Sequence, residues 1–300
     1  MRIAVTGATG FVGGAVCRAA AAAGWEVTAF GRRATADPGH IGGARYRSWD
    51  IGGKLDDPPG VDAVVHCAAS ATDTGVAREV WRTNLLGTHH VVASFPGCRV
   101  VHVSSGSVYD PYRPTVRAKE HEAPVRRYLN VYAAAKAAAE QLVLAVGRDP
   151  VVLRPHAVYG AGDTTLLPRL LENLRGTRLL VPGTGTPLVS MTNVDSLARA
   201  CLLAAAVAAP GQRVFNIADS APVTIDWALR GLLASAGVRA RPVYLPAWLL
   251  SPFARVFPHG RLNRYVISQF ARERTLDITA AIDRLGYEPG PTVFRGGCAD

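Results

Sequence analysis

The stretch "TGATGFVG", Thr6 to Gly13, sets glycines at positions 7, 10 and 13 between the β-branched apolar run "RIAVTG" and the alanine-rich run "FVGGAVCRAAAAAG". A strand that passes through such a loop into a helix restricts the fold more than any other feature of the chain. The glycines permit a tight turn and let backbone N–H groups approach a pyrophosphate, whose charge is favoured at a helix N-terminus. A glycine triplet alone is weak evidence. With a strand before it and a helix after it, the loop reads as a dinucleotide cradle. Thr6, Gly7, Thr9, Gly10, Phe11, Val12 and Gly13 are its candidate contacts, and Gly24 is the expected helix stop.

The same alternation continues downstream. "WEVTAF", "ARYRSW", "VDAVVHCAA", "CRVVHVSS" and "PVVLRP" read as the second to sixth strands, with helical patterns near 75–94 and 129–147. Strands that are apolar throughout and alternate with helices indicate an α/β fold whose parallel sheet is covered on both faces. At 300 residues and 49% hydrophobic content, the chain can bury a core of that size. After Pro155 the pattern changes: "TTLLPRLLENLRG" reads as a helix, "TRLLVPG" as a short strand, "NVDSLARACLLAAAVAA" as a helix and "QRVFNIA" as a strand returning to the sheet. The expected organisation is a nucleotide-binding core over 1–155, rejoined by 188–220. A smaller C-terminal substrate-binding lobe is expected from 156–187 and 221–300.

A fold of this kind that prefers NAD would end its second strand with an acid for the ribose hydroxyls. This strand ends "AFGRR", with Gly31 in the acid's place, Arg32 and Arg33 after it, and no acid before Asp37. Two guanidiniums beside a missing carboxylate suit a 2′-phosphate. NADP(H) is therefore expected over NAD(H), with Arg32 and Arg33 as contacts.

The chain has only three lysines, Lys54, Lys119 and Lys136. With nine tyrosines, chance would place a lysine four residues after about 0.09 of them, yet "YAAAK" does so at Tyr132 and Lys136. Residues i and i+4 share a helix face, and the alanines between are too small to block it. An ammonium near a phenol is expected to lower its pKa, so that the tyrosine exchanges a proton with a carbonyl or alcohol oxygen. "VVHVSSGSVYD" adds a serine-rich turn at the carboxyl end of a strand, where open α/β sheets bind ligands.

These motifs together resemble the extended short-chain dehydrogenases/reductases, in the epimerase/dehydratase-like group. The likeness rests on "TGATGFVG", Asp50–Ile51, "HCAAS", "TNLLGT", "SSGSVY", "YAAAK" and "LRPHAVYGAGD", and covers nearly the whole chain. It implies a Rossmann doubly wound sheet, with Ser105, Tyr132 and Lys136 as the catalytic set and Lys136 also on the nicotinamide ribose. It further implies Asp50 and Ile51 at the adenine, Cys67, Ala68 and Ala69 lining the cofactor, Ser104 beside it, and Pro155 passing the nicotinamide. Asn84 falls at a position usually considered structural. Ser107 is either a substrate contact or an ordinary turn residue, His156 either a packing residue or a substrate contact, and Val158 lies on the substrate side.

Departures from the family pattern narrow the chemistry. "GSVYD" lacks the acidic pair of the nucleotide-sugar dehydratases. Ala157 and Val189 stand where nucleotide-sugar epimerases carry the asparagine and arginine that hold a diphosphate, unless Arg169, Arg175, Arg178, Arg261 or Arg264 substitutes. The segments that remain resemble the 3β-hydroxysteroid dehydrogenase-like and ketoreductase branch. Trp248, Leu249, Leu250, Phe253 and Phe257 in 243–260 form a pocket wall, a lid or plain core. The expected activity is NADPH-dependent interconversion of a carbonyl and a secondary alcohol on a relatively apolar small molecule. The alternatives are a nucleotide-sugar epimerase and a non-catalytic NADP(H)-sensing regulator.

Net charge is +10, but the arginines are scattered and no run of five like charges occurs, so no nucleic-acid partner is expected. Five cysteines without a CxxC pair point to reduced thiols and no metal site. No apolar run approaches the roughly 18 residues of a membrane span, and no signal peptide is read. A cytoplasmic location is the expectation. The resemblance implies a homodimer through the helices at 75–94 and 129–147, with a monomer as the other state.

Overall fold

The computed structural model describes residues 1–71, 76–207, 211–250 and 263–294. The first strands are β1 (Arg2–Thr6), β2 (Glu26–Gly31), β3 (Arg45–Ser48), β4 (Ala63–His66) and β5 (Arg99–Val103); β6 (Thr115–Ala118) and β7 (Arg148–Pro155) follow. All but β6 join one parallel sheet with the strand Val214–Ile217. Its order is Val214–Ile217, β7, β5, β4, β1, β2, β3, so the chain reverses direction across the sheet between β1 and β4. That gap at the carboxyl ends is where such sheets open to a ligand. "QRVFNIA" does return to the sheet, pairing in parallel with β7.

The pleat explains why two faces need cover. Ile3 and Val5 of β1, Val101 and Val103 of β5, and Val151 and Leu153 of β7 share a buried cluster with helices α1 (Phe11–Ala22) and, later in the chain, Val194–Ala206. Ala4 and Val64, one residue out of phase, point the other way onto Phe30, Trp49, Val91 and Phe95. The helical segment near 75–94 comprises α2 (Ala77–Trp81), a π-helical turn Arg82–Leu86 and α3 (Gly87–Ser94). Next to it lies α4 (Val131–Val146), which carries the tyrosine and the lysine.

The C-terminal part adds small sheets around a second core of Tyr159, Leu179, Val181, Ile225, Leu229 and Leu233. β6 belongs there: it pairs in parallel with Arg274–Leu276, so a segment from within 1–155 is part of a sheet otherwise drawn from the C-terminal part. The helix expected over "TTLLPRLLENLRG" is shorter than its periodicity implies. α5 covers Leu166–Leu171, and Leu174–Arg175 then pairs antiparallel with the strand Arg178–Pro182 through Gly176, whose φ of 57° admits the turn. Within 243–260, Trp248 and Leu249 are exposed, whereas Phe253 and Phe257 lie outside the described residues. No helix among the described residues is long and apolar enough to cross a membrane.

Candidate active site

The glycine loop lies against the loop that follows β4. Gly7 has φ +70°, and a Cβ there would stand 2.7 Å from the Ala68 nitrogen; a Cβ on Gly13 would stand 2.2 Å from the Gly7 carbonyl oxygen. Both approaches are open only to glycine. Gly10 offers α1 no side-chain cap, and the first turn, which holds Phe11, Val12 and Gly13, carries no acid. The residues present therefore fit a dinucleotide pyrophosphate.

A chain of hydrogen bonds ties the two loops together, and its directions are fixed. The Thr88 hydroxyl donates to the Asn84 carbonyl at 2.6 Å, so it accepts from His66 Nε2 at 2.9 Å. His66 Nδ1 then accepts from the Thr6 hydroxyl at 2.7 Å, and Thr6 Oγ1 accepts from the Ala68 nitrogen at 3.4 Å. Burial lowers the His66 pKa to about 3, with the Lys136 charge adding to it, so the neutral tautomer persists. Asn84 completes the frame: its side chain accepts from the Ser70 nitrogen at 2.7 Å and donates to the Ser70 carbonyl at 3.1 Å. This seats Cys67, Ala68 and Ala69 beside the cradle, and the position is structural, as the resemblance implies.

Gly31 ends β2 in a confined space. A Cβ there would lie 3.0 Å from the Tyr46 hydroxyl and 3.1 Å from the Thr9 side chain, so the room an acid would need is occupied. Arg32 and Arg33 follow, both exposed, and the Tyr46 hydroxyl donates to the Arg33 carbonyl at 2.6 Å. Asp50 is exposed, and its side chain accepts from the Gly52 nitrogen; Ile51 is buried beside Trp49 and Phe95. Tyr46 had no place in the sequence reading, because its role depends on β3 lying beside β2.

Asn130 caps α4 by accepting from the Ala133 nitrogen at 2.9 Å, which fixes where Tyr132 enters the helix. The Ser105 hydroxyl faces the phenol and accepts from the Ser107 nitrogen at 3.1 Å. Lys136, 3% exposed, donates from Nζ to the Val103 carbonyl at 2.7 Å. The same α4 face and β5 end therefore gather Ser105, Tyr132 and Lys136. Ser104 Oγ, Ser107 Oγ and Asn130 Nδ2 are buried there without a partner. Such orphaned groups match a nicotinamide riboside and a substrate oxygen.

One expectation is corrected. Lys136 does not lower the Tyr132 pKa: burial raises it, and the interactions that oppose the rise are with the Ser105 hydroxyl and then the Arg169 charge. The reason is burial, whose effect on the phenol outweighs the interactions that favour the phenolate. Burial also brings the Lys136 pKa down to about 8, against the pull of Cys67 and Glu140.

A second turn of α4 holds what the sequence reading missed. Glu140 follows Lys136 at i+4, is fully buried, and receives Arg154 side-on, Nε to Oε1 at 3.0 Å and Nη2 to Oε2 at 2.7 Å. Arg154 also donates to the Tyr109 hydroxyl and to the carbonyls of Glu120 and Ala123. The pair locks α4 onto β7. An acid in a face of alanines was the available signal.

On the opposite wall, Pro155 ends β7, and His156 stacks on Gly106, where a Cβ would meet its ring at 2.8 Å. Its Nδ1 donates to the Ser190 carbonyl at 3.0 Å, and its Nε2 faces the Gln269 side chain at 3.3 Å. His156 is thus bound by C-terminal groups. Val158 pairs with Thr192 in a two-residue bridge. Arg169 of α5 donates from Nη2 to the carbonyl of Ala71, just past the loop that lines the cradle.

A phosphate cradle and a serine–tyrosine–lysine cluster sharing one sheet edge are the arrangement of NAD(P)-dependent oxidoreductases of the extended short-chain dehydrogenase/reductase class. Residues 3–218 match the NAD dependent epimerase/dehydratase family, and the chain belongs to it. A 2-alkyl-3-oxoalkanoate reductase of Stenotrophomonas maltophilia (strain K279a) is 31% identical over 99% of this chain and 97% of its own length. A 4-hydroxy-2-methyl-3-oxo-4-farnesyl-3,4-dihydroquinoline-1-oxide ketoreductase of Stigmatella aurantiaca is 33% identical over 99% and 94% respectively. Among solved structures, MoeE5 in complex with UDP-glucuronic acid and NAD has a TM-score of 0.71 at 27% identity, covering 97% of this chain and 94% of its own.

Proposed function

We propose that the chain is an NADPH-dependent ketoreductase that converts the carbonyl of a largely apolar small molecule into a secondary alcohol. The observation that carries the reading is the convergence of Ser105, Tyr132 and Lys136 at the carboxyl edge of β5. When bound, the reduced nicotinamide supplies a hydride to the carbonyl carbon. Ser105 orients the carbonyl oxygen, and Tyr132 hands its phenolic proton to that oxygen as charge builds on it. A phenol whose pKa is raised by burial is fully protonated at neutral pH, the state a proton donor needs. Lys136 keeps donors that it does not spend on Val103, which supports a role for it at the ribose of the nicotinamide.

Preference for NADPH is supported by Gly31 in its confined space and by the exposed Arg32 and Arg33, which suit a 2′-phosphate. The two curated relatives carry the names of ketone reductases, which agrees with this chemistry.

The likeness to MoeE5 keeps a nucleotide-sugar epimerase as the second reading. An epimerase returns its hydride and consumes no cofactor. Purified protein offered NADPH with ketones, 3-oxo acids, steroids and nucleotide sugars separates the two. Stoichiometric loss of NADPH absorbance with appearance of an alcohol supports the reductase; a changed sugar with NADPH intact refutes it. A cofactor-sensing regulator would give neither product, and it would have no use for the serine–tyrosine–lysine set.

A further inference from the structure

Resting on the ketoreductase reading, we infer that His156 and Arg274 are positioning residues: through them the C-terminal part holds the turn that carries Ser105. The topology creates the need. β5 belongs to the main sheet and β6 to a sheet otherwise drawn from the C-terminal part, so residues 104–114 are strung between the two. The inner end is fixed, because the Ser104 nitrogen donates to the Leu153 carbonyl at 2.7 Å. Ser105 is extended and opens the short turn Gly106–Val108. Its hydroxyl accepts from the Ser107 nitrogen at 3.1 Å, which leaves its own proton to be donated elsewhere. A shift of that turn therefore moves the hydroxyl directly.

Two holds reach the turn from the C-terminal side. The first is His156, whose ring lies so close to Gly106 that a Cβ there would stand 2.8 Å from it. That ring is itself pinned, with Nδ1 donating to the Ser190 carbonyl at 3.0 Å and Nε2 facing the Gln269 amide at 3.3 Å. Its main chain is tied to Thr192, whose hydroxyl accepts from the His156 nitrogen at 3.1 Å and lies 2.8 Å from the His156 carbonyl. The second hold is Arg274, 4% exposed, which donates to the carbonyls of Asp110, Pro111 and Arg113 at 2.8, 3.1 and 3.0 Å. It also donates to the Ser268 carbonyl, through Nε at 3.1 Å and Nη2 at 3.0 Å. A guanidinium spread over backbone carbonyls, three of them on one loop, fixes the path of the main chain there. The two holds converge. Ser190, the acceptor for His156, donates its nitrogen to the Arg274 carbonyl at 2.8 Å. Ser268 and Gln269 are neighbours on the helix Arg264–Phe270. The C-terminal part thus grips the serine turn at Gly106 and again just past Tyr109.

The test uses the full chain and compares wild type with His156→Ala, His156→Asn, Gln269→Ala and Arg274→Met. Hydrogen exchange read by mass spectrometry reports the ordering of 104–113. Oxidation of NADPH with 2-decanone, or with another ketone that wild type reduces, reports kcat and KM. His156→Ala and Arg274→Met are each expected to speed exchange in 104–113 ~10-fold or more. Each should also lower kcat ~10²-fold, the scale of a misplacement by about 1 Å. KM and the NADPH dissociation constant should stay within about 3-fold of wild type. Gln269→Ala removes only the outer prop and should act in the same direction by less. His156→Asn, whose amide can still donate to Ser190, should recover part of both losses. Exchange in β1 and β2 should be unchanged, which separates release of the turn from a general loss of stability. If Arg274→Met does not fold, the His156 and Gln269 variants decide. Unchanged exchange in 104–113, faster exchange throughout the His156 variants, or a loss confined to NADPH affinity overturns the inference. A wild type that consumes no NADPH with any ketone refutes the ketoreductase reading instead, and exchange alone then decides whether the two residues hold the turn.

Discussion

Removing Arg154 tests whether the α4 face that carries Tyr132 and Lys136 depends on an ion pair two turns from the tyrosine. Arg154 is 1% exposed and Glu140 0%, so neither charge has solvent to fall back on. Arg154→Met deletes three donor contacts to the carboxylate, at 3.0, 3.2 and 2.7 Å, and leaves it buried one turn from Lys136. Breaking a buried pair from one side costs about 3–5 kcal/mol, a large share of a net stability of roughly 5–15 kcal/mol. Replacing both partners with apolar residues, Arg154→Met with Glu140→Leu, removes the stranded charge and should recover most of that loss. Urea unfolding of the two single variants and the double variant measures the coupling directly. Turnover adds a second readout, since a displacement of the Tyr132 hydroxyl by about 1 Å is worth ~10²-fold in rate. The reasoning is refuted if Arg154→Met costs under about 1 kcal/mol, the range of an exposed pair, or if the double variant loses as much as the two single variants together.

Three further outcomes follow from the site. Tyr132→Phe should bind NADPH as wild type does and lose ~10²–10⁴-fold in turnover; wild-type rates, read from NADPH absorbance, would remove the tyrosine from the chemistry. Lys136 carries its proton below a pKa of about 8 and loses it above, so reductive turnover should be flat near pH 6–7 and fall as pH rises through about 8. A profile flat to about pH 10 contradicts a working ammonium. Gly31→Asp forces a side chain against Tyr46 and Thr9 and sets a carboxylate beside the 2′-phosphate position. Its NADPH dissociation constant should rise ~10-fold or more while that for NADH moves less; equal losses for both would make Gly31 a matter of packing alone.

How much of this was legible depended on whether a feature is local. Glycine spacing, the Tyr132–Lys136 step and apolar strands are each written within a few residues, and the sheet and the helix α4 follow from them. Contacts set by register across strands were not legible. Tyr46 reaches the Arg33 carbonyl because β3 aligns with β2, with Ala29 opposite Tyr46. Thr6, His66 and His102 form one row only once β1, β4 and β5 pair. The direction of the Tyr132 pKa was not legible for the same reason: helical spacing puts the ammonium on the tyrosine's face, but the burial that raises the phenol comes from the packing of the whole sheet edge.

Burial also decides how the site handles charge. Its effect on the phenol exceeds those of the Ser105 hydroxyl and the Arg169 charge, and His66 and His102 are held neutral by burial as well, so the resting site holds a neutral tyrosine. Negative charge building on a carbonyl oxygen bound there would be met by the Ser105 hydroxyl and the phenolic proton. A phenol that burial holds protonated is ready to give its proton to a carbonyl oxygen, which is the step the reductase reading asks of Tyr132.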